Sequence, residues 1–123
     1  MGFNSFRDLV VWQRAMDLAQ SCYEETKSFP RTETFGMTSQ IRRAAASVPA
    51  NIAEGHGREQ TGVFIQFLRT AQGSLKELET HLLLCERVAL LGGEASAALL
   101  RKSEEVGKML RSLIRSLEQK QKS

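Results

Sequence analysis

The chain has 123 residues, 41% hydrophobic and 25% charged, a globular composition rather than a disordered one that suits one domain with a modest core. No apolar run approaches the roughly 20 residues that span a bilayer, and "MGFNSFRDL" lacks the charged-then-apolar layout of a signal peptide, so a cytoplasmic protein is expected. The net charge of +3 is too small by itself to imply a nucleic-acid partner, but it is unevenly placed: residues 101–123 carry seven Lys or Arg against three Glu, and the remainder sums to −1.

The spacing predicts a first helix over about 5–28, because Leu9, Trp12, Met16, Ala19 and Tyr23 recur at alternating intervals of three and four. Val11, Ala15, Leu18 and Cys22 repeat that rhythm on an adjacent stripe, so the apolar arc is wide enough to touch more than one neighbour. Ser5 is the expected cap, and Pro30 restricts Phe29 and ends the segment.

A second helix is expected over about 34–55, with Met37, Ile41, Ala45, Val48 and Ile52 as its stripe and the small residues "AAASVPA" marking it as the innermost helix. Pro49 has no N–H for the carbonyl of Ala45, so this helix must kink or restart. In the restart, Ser47 caps a second half-helix and Gly55 or Gly57 ends it in a left-handed conformation.

The third segment, about 61–91, carries the strongest pattern: Phe64, Leu68, Ala71, Leu75, Leu78, Leu82, Cys85 and Ala89 alternate four and three without a miss. Gly73 beside that stripe suggests the close approach of another backbone, and Gly92-Gly93 is the expected stop. A fourth helix over about 94–119 presents Leu99, Val106, Leu110, Leu113 and Leu117. Short links favour antiparallel neighbours, so the expected fold is all-α: one domain over 1–123, an antiparallel up-down-up-down four-helix bundle with a proline-kinked second helix.

Catalytic and cofactor chemistry is poorly represented. The chain has two histidines and no nucleophile elbow, phosphate loop or Cys/His quartet. Glu77 and His81 stand one turn apart, but carboxylate-bridged di-metal bundles need Glu-x-x-His pairs on two helices. No enzyme, metal or cofactor is therefore expected, and Cys22 and Cys85, each inside an apolar pattern, read as buried reduced thiols.

Basic residues are better organised. Arg101, Lys108 and Arg115 are seven apart and fall near one helical face with Arg111 beside them, a cationic stripe that suits phosphate contacts or a plain solvated face partly neutralised by Glu104. Arg42, Arg43 and Arg58 are secondary nucleic-acid candidates. Pro49, Asn51 and Glu54 are the candidates for a contact with another copy of the chain.

The stretches "FRDLVVWQRAMDLA" at 6–19, "FGMTSQIRRAAASVPANIAEGHGR" at 35–58 and "FIQFLRTAQGSLKELETHLLL" at 64–84 resemble the bacterial four-helix-bundle proteins encoded by intervening sequences of large-subunit ribosomal RNA genes. They are also similar to the accessory variability proteins of diversity-generating retroelements. Met37 and Ala46 depart mildly from that pattern. The resemblance implies a non-enzymatic homopentameric ring whose basic surfaces contact RNA or a reverse transcriptase. Two function classes follow: a nucleic-acid-binding accessory protein, or a protein-interaction scaffold whose charge only keeps it soluble.

Overall fold

The computed structural model describes residues 5–122, and among them every regular element is helical. A 3-10 turn over Phe6–Asp8 precedes α1 (Val10–Thr26), and a second over Arg31–Glu33 precedes α2 (Met37–Gly57). α3 (Thr61–Arg87) and α4 (Gly93–Lys122) complete the bundle. The helices pack α1 on α2, α2 on α3 and α3 on α4, and α4 closes the bundle against α1.

Across α3 and α4, Glu79 bonds Ser103 and Arg69 pairs with Glu118, so partner numbers fall as α3 numbers rise and the two helices run antiparallel. Across α2 and α3 the order is the same: Arg43 meets Glu77, Ser47 meets Ser74, and Gly55 meets Phe67. Leu18, Leu68, Leu75, Leu78, Leu82 and Leu110 are fully enclosed in one core. Each stabilises the fold by roughly 1.5–3 kcal/mol, far more than any local propensity in these helices. Cys22 and Cys85 are buried free thiols in that core, and burial pushes Cys22 up to about 12.

Several local expectations are corrected. Ser5 caps the 3-10 turn by accepting from the Arg7 amide, Leu9 is extended, and α1 starts only at Val10. The core side of α1 is the second stripe, Val11, Ala15, Leu18 and Cys22, which meets the others at the bundle axis. Met16 and Tyr23 on the first stripe are both 44% exposed.

α2 does not restart at Pro49. It is one helix from Met37 to Gly57, and Ser47 caps nothing. Its hydroxyl faces Ser74 at 2.7 Å and accepts from the Asn51 amide at 3.0 Å, which ties α2 to α3. The start of α2 is capped from outside the helix, where Glu33 Oε1 accepts from the Met37 amide. α2 packs against both α1 and α3 as the innermost helix expected, although Ala46 and Ala50 on its outer side are exposed.

Among the described residues, no glycine is left-handed. The positive φ values belong to Glu59 at 59° and Ala89 at 62°. Gly55 is instead a site of close approach, because a Cβ there would stand 2.5 Å from Phe67 Cβ. Gly73 has no heavy atom within 4 Å of its would-be Cβ, so the close contact expected there is absent.

α3 ends at Arg87, short of the Gly92-Gly93 stop, in a Schellman motif. The Leu90 amide donates to Cys85 O at 2.9 Å and the Ala89 amide to Glu86 O at 3.1 Å, around the left-handed Ala89. An exposed alanine in that conformation is strained where glycine is not. Ala89→Gly is therefore expected to raise stability by about 0.5–1 kcal/mol, read as a higher urea midpoint at unchanged slope.

Candidate nucleic-acid interface

α4 turns Val106, Leu110 and Ile114 into the core, and its seven-residue repeat carries Arg101, Lys108 and Arg115 to the opposite side with Arg111 at the edge. All four are exposed and none is in an ion pair. Glu104 lies one turn before Lys108, but no ion pair joins them, so the expected neutralisation is absent. From Arg101 to Arg115 the stripe runs about 21 Å along the axis.

Lys76 of α3 joins this surface. It lines a shallow cavity of about 190 Å3 together with Lys108, Arg111, Glu79 and Glu104. Its ammonium pairs with Glu79 at 3.0 Å, and Glu79 also accepts from the buried Ser103 hydroxyl. Sequence reasoning missed Lys76 because only the register of α3 against α4 brings it beside Arg111.

The three arginines of α2 are placed differently. Arg42 Nε donates to Thr26 Oγ1 at 2.9 Å, a second nitrogen donates to Tyr23 O at 3.2 Å, and the guanidinium lies 4.6 Å from the Tyr23 ring centroid. This arginine fastens α2 to the end of α1. Arg43 pairs with Glu77, whose carboxylate also meets His81 Nε2 at 3.3 Å. The Arg43 hydrogen bond holds the Glu77 carboxyl below the usual carboxylate range, so the pair is ionised at neutral pH. Arg58 pairs with Glu54 at 3.0 Å and covers the Phe67 ring at 5.3 Å. The structure does not gather these three onto the α4 stripe, and each has an intramolecular partner.

Pro49, Asn51 and Glu54 do not share one face. Asn51 bonds back to Ser47 O at 2.8 Å on the α3 side, and Glu54 is taken by Arg58. Pro49 instead lines a groove of about 500 Å3 between α1 and α2. Trp12, Met16 and Tyr23 form one wall, and Ala46, Ala50 and Ala53 form the other. Trp12, Met16 and Tyr23 of the first α1 stripe thus form half of an apolar trough whose other half is the small-residue face of α2, while Leu9 and Ala19 of that stripe are buried. Phe35, 95% exposed on the α1–α2 connection, is a further apolar side chain outside the core.

Among the described residues, no three His, Cys, Asp or Glu side chains cluster in a way that would hold a metal ion, and no helix is long and apolar enough to cross a membrane.

With this geometry in hand, a family model described as "23S rRNA-intervening sequence protein" matches residues 7–112. A solved crystal structure from Bacteroides thetaiotaomicron, described as a protein with unknown function from the S23 ribosomal protein family, is similar with a TM-score of 0.76. The two sequences are 27% identical, and the match covers 85% of this chain and 97% of that one. No curated protein matches the sequence.

Proposed function

We propose that this chain, which belongs to the 23S rRNA-intervening sequence protein family, is a non-enzymatic, self-associating bundle that binds RNA through the outward face of α4. The observation that carries this reading is the set of four exposed cations, Arg101, Lys108, Arg111 and Arg115, free of ion pairs along one helical face. Cations without carboxylate partners neutralise phosphates and release counterions without first breaking an internal pair. Arg42, Arg43 and Arg58 serve the fold in this reading and contribute little to RNA affinity.

Self-association makes a weakly charged chain a strong polycation. The α1–α2 groove is the surface that suits it, because its lining is mostly apolar and Met16, Tyr23, Ala46 and Ala50 stand exposed along it. In the homopentamer that the family resemblance implies, five copies of +3 carry about +15 and repeat the stripe five times. The same groove supports a second reading, a scaffold that holds another protein, which predicts a partner whose binding is insensitive to salt.

Fluorescence anisotropy with a labelled RNA across a salt series tests the first reading. The expected slope of log affinity on log salt is about −0.9 per phosphate contacted on a duplex and about −0.7 on a single strand. Replacing Arg101, Lys108, Arg111 and Arg115 together by Gln flattens that slope and weakens binding. Unchanged affinity in this variant would sink the proposal, whereas loss in the Arg42→Gln, Arg43→Gln and Arg58→Gln variant alone would move the interface to α2.

A further inference from the structure

A cavity of about 810 Å3 opens at the end of the bundle where the Phe6–Asp8 turn, the last turn of α2, the first turn of α3 and the end of α4 meet. Its floor is apolar, made by Leu9, Phe64, Leu113 and Leu117. The His56 ring stands edge-on to Phe64, with centroids 5.8 Å apart and planes at 83°. Around this floor stand Arg7 and Lys120, and the polar side chains of Ser5, Gln60 and Thr61. Glu59 is the one acid of the lining, which carries +1 with His56 neutral.

We infer that this cavity takes a single nucleotide, its base against the Phe64 ring with His56 at its edge and its phosphate at Arg7. The volume lies in the range of roughly 300–1,000 Å3 usual for small-ligand sites. One aromatic face beside a cation matches the two halves of a nucleotide. A purely apolar ligand would leave Arg7 unused, and an acidic peptide would leave the Phe64 ring unused.

Arg7 is available for this work. Its guanidinium reaches Ser5 Oγ at 3.3 Å and lies 5.0 Å from the Phe6 ring centroid, and no described carboxylate pairs with it. The turn that forms one wall is held by Glu59 at a φ of 59°, a conformation costly for a non-glycine residue and over-represented at ligand sites. The inference deepens the nucleic-acid reading above and rests on it: the nucleotide is an unpaired residue of the bound RNA, or a free nucleotide with the same chemistry.

The chain has one tryptophan, Trp12, and its ring packs edge-on to Phe6 at 5.1 Å. Phe6 lines the cavity, so Trp12 fluorescence reports its occupancy. The experiment titrates the full chain with AMP and with a short unstructured adenosine oligoribonucleotide, following Trp12 emission and anisotropy of the labelled oligonucleotide. Gly57→Phe is the blocking variant, since Gly57 is helical, lines the cavity and has nothing within 4 Å of its would-be Cβ. Arg7→Gln is the second, on an exposed residue outside the core.

The expected result is a saturable Trp12 change, weakened roughly 5- to 150-fold in Gly57→Phe, the loss of one stacked base, and reduced in Arg7→Gln. A response to AMP and oligonucleotide alike supports the site with either source of nucleotide. A response to the oligonucleotide alone supports it with an RNA residue as the ligand. Full oligonucleotide affinity in Gly57→Phe, together with its loss in the α4 Gln variant, overturns the cavity site and leaves the RNA interface standing. No binding of either probe by the unaltered chain overturns both.

Discussion

Gly55→Ala is expected to destabilise the bundle by about 1–3 kcal/mol, although alanine is the better helix former. Gly55 lies inside α2 with ordinary helical backbone, so its missing side chain matters for packing and not for conformation. A Cβ there would stand 2.5 Å from Phe67 Cβ and 3.0 Å from a Phe64 ring carbon, and the nearer of these is the root of a side chain fixed on α3. Such an atom cannot swing aside by a rotamer change, so the α2–α3 seam must open along its length. Two positions on, Gly57 has nothing within 4 Å, and Gly57→Ala is expected to stabilise by about 0.5–1 kcal/mol through helix propensity alone. Urea unfolding of the two variants, each followed by far-ultraviolet circular dichroism, checks the opposed signs. Stabilisation of both would show that α2 and α3 separate more easily than the packing indicates.

On the proposed self-association through the α1–α2 groove, Ala50→Glu is expected to leave the chain monomeric while changing the stability of the isolated chain by no more than about 0.5 kcal/mol. Ala50 is an exposed mid-helix position, and glutamate is nearly as good a helix former as alanine. Within the chain the substitution therefore meets only water. In an assembly seated on the α1–α2 groove it would bury a carboxylate against Trp12, Met16 and Tyr23 with no cation to receive it, a cost well above the marginal stability of a subunit contact. Light scattering coupled to size exclusion reads the mass. An unchanged oligomer in Ala50→Glu would place the subunit contact elsewhere.

The alternating intervals along Phe64 to Cys85 made α3 legible from its spacing, because every position of the stripe meets a neighbour inside the chain. The same rule on α1 offered two stripes and could not rank them. Leu18 and Cys22 face the core, while Met16 and Tyr23 face outward, and only the angle at which α1 lies on α2 decides between them. Glycine was the least legible residue. Its sequence signature is shared by a left-handed turn, a close approach and an open surface, and Gly55, Gly57 and Gly73 divide between the last two. The left-handed turns fell instead to Glu59 and Ala89, which no local rule favours. On α4 the cationic spacing was legible, but not the freedom of those cations from carboxylates. That freedom depends on where two acids turn: Glu79 of α3 takes the Ser103 hydroxyl and Lys76, and Glu118 of α4 reaches Arg69 on α3.

The order in which the helices pack has a consequence for how the chain reaches this state. Three of the four seams join helices adjacent in sequence, and only the seam of α1 with α4 closes over the length of the chain. Loop-closure entropy is therefore concentrated in one event, and the other three seams form between neighbours joined by links of ten, three and five residues over 27–36, 58–60 and 88–92. A topology of this kind has low contact order and folds quickly, with the docking of α1 on α4 as its late step. The Leu9, Val11 and Leu113 contacts of that seam then govern the rate at which the bundle opens more than the rate at which it forms.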